Sequence, residues 1–411
     1  MTRRVAITGL GLISPLGIGA AANIANAIAG RSAIERLTAP PFATRLVAPL
    51  ASRVPFDGAD HFDPPRLRML DRVGQLAVVA ARQAVEDSGC DLDAADRDRV
   101  GVFVGCGMGG STTMDDGYRT LYGDASDRIK PFTVLAGMTN APAAWIGIEH
   151  RLGGPNLTYS TACSSSAVAI GEAAQRIAHG TLDVAIAGGA EAPLSLGSMK
   201  AWEAMQTLAA VDAADPSTSC KPFAKDRSGM VLGEGAAMCL LEPWDDAVAR
   251  GAFIHGELLG YGVTTDFGHI TRPSVDGQAA AMRAALASAG LAPSDVDAIN
   301  AHGTGTQAND AVETAAVKAV FGSRAGTIPI SATKAMHGHL LGATAALELA
   351  LSVLAMQRAV VLPTMHLREA DDACDLDYVA NATRDARVRV MLSNAFAFGG
   401  TNAVLVVGGT A

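Results

Sequence analysis

The stretch YSTACSSSAVAIGEAAQRIAHG, residues 159–180, decides how the chain reads. Thr158–Ala162 looks like the end of a strand, and Ser164–Ala178 has the alanine-rich periodicity of a buried helix, so Cys163 falls on a strand-to-helix turn. A helix start carries unpaired N–H groups, which favour a thiolate by ~0.3–2 kcal/mol. With about 1.4 kcal/mol per pKa unit, the expected effect is a fall from about 8.5 to about 7.5. Full activation of the thiol still calls for a basic partner. A lone cysteine in such a place is otherwise a small buried hydrophobe, and that reading suits Cys90, Cys106, Cys220, Cys239 and Cys374. They lie scattered, without metal-ligand spacing or a disulfide framework, as expected of free thiols in a reducing cytoplasm.

Outward from this segment, short β-branched runs alternate with longer alanine-rich helical patterns. RVAITGL reads as a strand, DRVGQLAVVAARQAVEDSG as a helix stopping at Gly89, and RVGVFVG and DVAIAGGAEAP as strands. After Gly251 the style repeats: AFIHGELLGYGV as a strand, GQAAAMRAALASAG as a helix, and VRVMLSNAFAF with NAVLVVG as a closing strand pair. Such alternation implies an α/β fold with a sheet covered on both faces. A boundary near Arg250–Gly251 gives two α/β halves, 1–250 and 251–411, although no residue-level repeat proves a duplication.

The 411 residues carry a net charge of −9, which argues against general nucleic-acid binding. No signal peptide or membrane-length apolar run is visible, so a cytoplasmic protein is expected. Gly105-Cys-Gly107-Met-Gly-Gly110 matches G-x-G-x-x-G after a strand, but the polar, glycine-broken STTMDDGYRT that follows is not the apolar helix a dinucleotide fold requires. Arg66, Arg68 and Arg72 form a basic cluster that reads equally as a solvated helix face and as a dock for an acidic partner.

Partners for Cys163 stand in two glycine-bearing loops. NAHGTGTQAND holds His302 with Thr304 and Thr306, and SATKAMHGHLLGATAALE holds Lys334 and His339 before a helix that reaches Glu348. Two such histidines, a lysine and a helix-start cysteine point to a catalytic site. His337 and His339 alone do not make a metal site, for no third ligand spacing supports one.

TACSSS, AHGTGT, TKAMHGHLLGA and NAFAFGGTN, in this order and spacing, resemble the signature segments of the elongating β-ketoacyl-acyl-carrier-protein synthases, and the likeness runs from VAITGLGLISPLG to the last strand. The resemblance implies the thiolase fold, two similar α/β halves stacked as a five-layer α-β-α-β-α sandwich. It implies Cys163 as acyl-accepting nucleophile, His302 and His339 as the pair driving malonyl decarboxylation, and Lys334, Glu348 and Asp310 in support. The backbone N–H groups of Cys163 and Phe398 would form the oxyanion hole, with Phe398 also gating the pocket. Thr304 and Thr306 would bind the pantetheine arm, Met108 would limit the acyl pocket, and Arg66 and Arg68 would dock the acyl carrier protein. No permanently bound cofactor or metal is implied, only the phosphopantetheine arm of the carrier protein. The expected assembly is a homodimer, or a heterodimer with a related subunit.

The segment from Arg31 to Pro65 departs from housekeeping members, while CSSSAVAIGEA and MKAWEAMQTLA look more like synthases of specialised pathways such as aryl polyene or polyketide assembly. Two rival readings remain. One is a non-catalytic partner of the chain-length-factor kind, which lacks the nucleophile; the other is a CoA-dependent thiolase-like enzyme, which lacks the second histidine of HGHLLGA.

Overall fold

The computed structural model describes residues 2–124 and 126–410. The first half of the chain supplies strands β1 (Val5–Ser14), β2 (Val100–Gly105), β3 (Asn156–Tyr159), β4 (Val184–Glu191) and β5 (Gly235–Pro243). The second supplies β6 (Gly256–Thr265), β7 (Ala298–Asn300), β8 (Ile330–Ser331), β9 (Val390–Phe396) and β10 (Thr401–Gly408). From the middle outwards the first set runs β1-β5-β4-β2-β3 and the second β6-β10-β9-β7-β8, with β1 paired to β6 through Ala6↔Glu257 and Ile7↔Gly256. In both sets the first two pairings are antiparallel and the last two parallel. The duplication that no residue-level repeat betrays is therefore plain in strand order and sense.

Side-chain alternation along the strands separates three cores. On β4, Ala185 and Ala187 point to a central core with Ala167, Ile170, Leu347 and Leu351, whereas Val184 and Ile186 point to an outer one with Val73, Leu76 and Ile146. On β10, Leu405 and Val407 join the central core, while Val404 and Val406 meet Met282 and Val317 in a third. The central layer consists of helices that follow β3 and β8, the outer layers of helices α1 (Arg72–Ser88) and α2 (Ala141–His150) on one side. In chain order, the central helices are α3 (Ser165–Ala178) and α6 (Thr344–Gln357), and α4 (Val275–Ala289) with α5 (Gln307–Phe321) closes the far side. Five layers result, α-β-α-β-α, each sheet buried on both faces, which is why its strands read as near-continuous apolar runs.

Local signals set the helix ends. Asp71 caps α1 by accepting from Val73 N, and Gly89 ends the helix in the left-handed conformation at φ 60°. Ser274 and Gly290 do the same for α4. Thr306 caps α5 through Asn309 N, which leaves the threonine at the mouth of the site described below. The helix read as beginning at Ser164 begins at Ser165, because Ala162–Ser164 form a separate tight turn. Among the described residues no helix is long and apolar enough to cross a membrane.

One close approach sets the position of α3. A Cβ on Gly105, at the end of β2, would lie 2.2 Å from Ser166 N on the first turn of that helix. Because the obstacle is backbone, Gly105→Ala should lower stability by about 3 kcal/mol, at the upper end of overpacking costs. A urea midpoint lowered at unchanged slope would show it; an unchanged midpoint would contradict this packing.

Candidate active site

Cys163 lies on the turn Ala162–Ser164 between β3 and α3. The three serines after it hold that turn. Ser164 Oγ donates to Thr161 O at 2.8 Å, Ser165 Oγ donates to Ala162 O at 2.6 Å, and Ser166 Oγ accepts from Ala346 N at 3.0 Å, tying α3 to α6. Ala162 is forced to φ 50°, a left-handed value that a non-glycine residue adopts only when its surroundings dictate it. The second half repeats the device: Leu341 has φ 44° on the turn Leu341–Ala343 before α6, two residues beyond His339. The two turns face each other, and His339 Nε2 comes within 3.0 Å of Cys163 Sγ.

His302 follows β7 and brings its ring centroid to 5.6 Å from that of His339, edge to face. Its loop is gripped by Glu313 on α5, which accepts from His302 N at 2.8 Å and Gly303 N at 2.9 Å. Lys334, fully buried, donates to the His302 carbonyl and, at 2.8 Å, to Glu348 Oε1. The lysine thus fixes the histidine through its backbone rather than its ring.

The tautomer of His339 follows from its neighbours. Leu341 N–H points at Nδ1 from 3.1 Å, so Nδ1 is an acceptor and the proton sits on Nε2, facing the sulfur. Burial pushes both imidazoles well below the ordinary histidine value, and the Lys334 charge adds to the effect. Both rings are therefore neutral near pH 7.

The expected acidity of Cys163 is not what the structure shows. Burial pushes its thiol up to about 11, against the pull of Lys334 and of the backbone N–H groups of Phe398 and Cys163 itself. Desolvation of a thiolate outweighs a helix start. Near pH 7 the group is therefore predominantly the neutral thiol. The two N–H groups that oppose the burial effect are those the sequence suggested for an oxyanion hole, and both lie against the sulfur.

A narrow cavity of about 60 Å³ joins Cys163, His302 and His339 to Thr304, Thr306 and Phe398. Thr304 and Thr306 share a hydrogen bond at 2.9 Å, and Phe398 packs near Trp202 with ring centroids 6.0 Å apart. Asp310 stays behind this wall, accepting from Phe223 N at 2.8 Å and Gly305 N at 3.2 Å, and so braces the threonine loop. Cys163, His302 and His339 present ligand atoms within 4.8 Å of one another. With its proton on Nε2, His339 has no free lone pair directed at that point. His337 faces elsewhere, toward Thr333 Oγ1 and Gly338 O.

Arg66 and Met108 lie outside the cavity at Cys163. Arg66 is tied to Glu149, which also holds Arg82 at 2.5 Å, and lies near the rings of Phe62 and Trp145; its charge is spent within the fold. Arg72 is likewise bound to Glu234 at 2.7 Å. Of the cluster, Arg68 lines an open bay of about 730 Å³ together with Arg128 and Lys130. Met108 does not line the cavity at Cys163; its side chain is partly exposed, and its N–H is held by Glu191 at 2.9 Å. The N–H groups of Gly107 and Met108, which a dinucleotide pyrophosphate would need, both bond Glu191.

Sequence reasoning missed Glu313 and Glu191. Glu313 was within reach: it sits one helical turn after Asp310, on the same face of α5. All six cysteines are free, and five of them are buried.

The thiol acidity has a direct readout. Inactivation by iodoacetamide through Cys163 should keep rising about tenfold per pH unit from about pH 7 to about pH 9. A plateau by about pH 8 would place the thiol near its expected, lowered value and contradict the buried-thiol geometry.

Residues 2–247 match the family model "Beta-ketoacyl synthase, N-terminal domain", and residues 255–368 match "Beta-ketoacyl synthase, C-terminal domain". The chain is 45% identical to Nodulation protein E of Rhizobium meliloti (strain 1021), over 98% of this chain and 99% of that one. It is 39% identical to 3-oxoacyl-[acyl-carrier-protein] synthase 2 of Staphylococcus aureus (strain COL), over 98% of both. A solved type II PKS acyl-carrier protein in complex with its ketosynthase, bound to the hexaketide, superposes with a TM-score of 0.93 at 28% identity, covering 100% of both chains. With its two halves, its paired turns and its cysteine between two histidines, the chain belongs to the beta-ketoacyl synthase family.

Proposed function

We propose that the protein is an acyltransferase that condenses an acyl chain, held on Cys163, with malonyl-acyl-carrier protein to give 3-oxoacyl-acyl-carrier protein, CO2 and free carrier protein. The observation that carries this reading is the Leu341 N–H directed at His339 Nδ1, which leaves the ring proton to Nε2. A histidine serving only as base to the cysteine would present a lone pair there; this one presents a donor.

In the first half-reaction the Cys163 sulfur attacks the acyl thioester carbon, and negative charge collects on the carbonyl oxygen beside the N–H groups of Cys163 and Phe398. The C–S bond to pantetheine breaks, and the thiol proton ends on the departing pantetheine sulfur. In the second, malonyl loses CO2, and the electron pair of the broken C–C bond moves onto the thioester oxygen. The uncharged His302 and His339 hold that enolate, His339 through Nε2–H. The enolate carbon then attacks the acyl group, a C–C bond forms, and the Cys163 sulfur leaves as the thiolate and takes a proton from solvent water. In this reading the pantetheine arm reaches Cys163 past Thr304 and Thr306, and the reaction calls for no other cofactor.

The carrier protein is acidic in this reading, and the bay formed by Arg68, Arg128 and Lys130 is its dock. We read the assembly as a homodimer. The edge strand β3 exposes Leu157, and Val134, Leu135, Met138 and Ile148 are exposed as well, an apolar set that a second copy of the chain would cover. A cytoplasmic location and a specialised fatty acid or polyketide pathway fit the free thiols and the similarity to Nodulation protein E. A chain-length-factor role would leave a complete site idle.

Cys163→Ala should abolish condensation and leave malonyl decarboxylation in place, because the enolate donors survive; equal loss of both would refute this division of labour. His339→Ala should still take up an acyl group on Cys163 while decarboxylation falls by about 10²-fold. A variant that decarboxylates at the wild-type rate would remove His339 from the pair. Arg68→Glu should raise KM for the malonyl carrier about tenfold at unchanged kcat, and an unchanged KM would move the dock elsewhere.

A further inference from the structure

Strand β4 ends at Glu191, whose side chain is wholly buried and which meets no cation among the described residues. Such a carboxylate survives only when hydrogen-bonded throughout. Its Oε2 accepts from Gly107 N at 2.8 Å and from Gly342 N at 3.0 Å, and its Oε1 from Met108 N at 2.9 Å. Burial pushes the carboxyl up to about 7 while these three N–H groups pull it back. One oxygen thus joins two separate segments, the loop after β2 and the turn Leu341–Ala343. There is no room for side chains at this joint. A Cβ on Gly342 would lie 2.8 Å from both Glu191 Oε2 and Gly107 N, and one on Gly107 3.0 Å from Oε2.

Gly342 is the neighbour of Leu341, whose N–H occupies His339 Nδ1. We infer that Glu191 is a positioning residue: by clamping Gly342 against Gly107 it holds the Leu341 N–H on His339 Nδ1, and so keeps the imidazole proton on Nε2, facing the reacting atoms. With the clamp released, Nδ1 is free to take the proton and donate it to Thr344 Oγ1, 2.9 Å away. His339 Nε2 would then offer a lone pair where the enolate needs a donor. The catalytic consequence rests on the role of His339 in the proposed function; the effect on the tautomer does not.

The test uses the full-length protein with ¹⁵N-labelled histidine, read by NMR without substrate, alongside malonyl decarboxylation. Glu191→Met fills the same space with no acceptor, and should move the His339 proton from Nε2 to Nδ1 and lower kcat for decarboxylation at least about tenfold, with KM within about twofold. Glu191→Gln, which can keep an oxygen at the Oε2 position, should retain the Nε2–H tautomer and stay within about threefold of wild type. An Nε2–H tautomer and wild-type kcat in Glu191→Met would overturn the inference. Should that variant not fold, Gly342→Ala, which pries open the same joint, decides by the same two readouts. A shifted tautomer with undiminished decarboxylation would uphold Glu191 as the clamp and sink the donor role of His339 instead.

Discussion

The ion pair between Lys334 and Glu348 is the constraint around which the site is arranged. An ammonium and a carboxylate lie together beneath the floor of a pocket, both out of contact with water, at 2.8 Å. Removing either partner would leave an uncompensated buried charge, at a cost of several kcal/mol. The pair holds the chain segments on either side: Lys334 also binds the His302 carbonyl, so the first histidine loop is anchored to the start of the second. Its charge reaches further than its bonds. It reinforces what burial does to the two imidazoles, keeping them neutral, and works against what burial does to the thiol. One fixed positive charge therefore acts on all three groups, keeping the imidazoles neutral and favouring the thiolate against burial.

The twofold plan of the fold explains why these groups meet. Each half turns from its third strand into a central helix through a tight turn with one left-handed residue, Ala162 in the first and Leu341 in the second. The two central helices pack side by side and are pinned by Ser166 and Ala346, so the two turns come face to face. In the first half the turn carries the thiol of Cys163. In the second the matching place, Gly342, carries no side chain, and the space is given to Glu191 and the histidine loop. Similar backbones have been put to different chemical use.

Much of this was legible in the sequence. The elbow at TACSSS, the two glycine loops, and the helices closed by Gly89 and Gly290 are local signals, set by turn chemistry and apolar period. What was not legible depends on distant packing. The sign of the shift at Cys163 could not be read from its place at a helix start, because burial by residues from both halves outweighs it. Arg66 looked free because Glu149 lies far along the chain, and Glu191 looked like one acidic residue after an apolar strand. Its role appears only when the loops at residues 107 and 342 are brought together. The duplication was hidden for the same reason: strand order and sense persist while side chains differ.

In the proposed reaction two uncharged imidazoles, kept so by burial and by Lys334, hold the enolate. The pH profile of malonyl decarboxylation by the Cys163→Ala protein tests it most directly, since no thiol titration enters. An imidazole with a depressed pKa gains its proton only below that lowered value, so the working state persists as pH falls through the ordinary histidine range. The rate should stay within about threefold, the range left to protonation of Glu191, from about pH 8 to about pH 5.5. A fall of about tenfold between about pH 6.5 and about pH 5.5, as an imidazole of ordinary pKa takes up its proton, would contradict it.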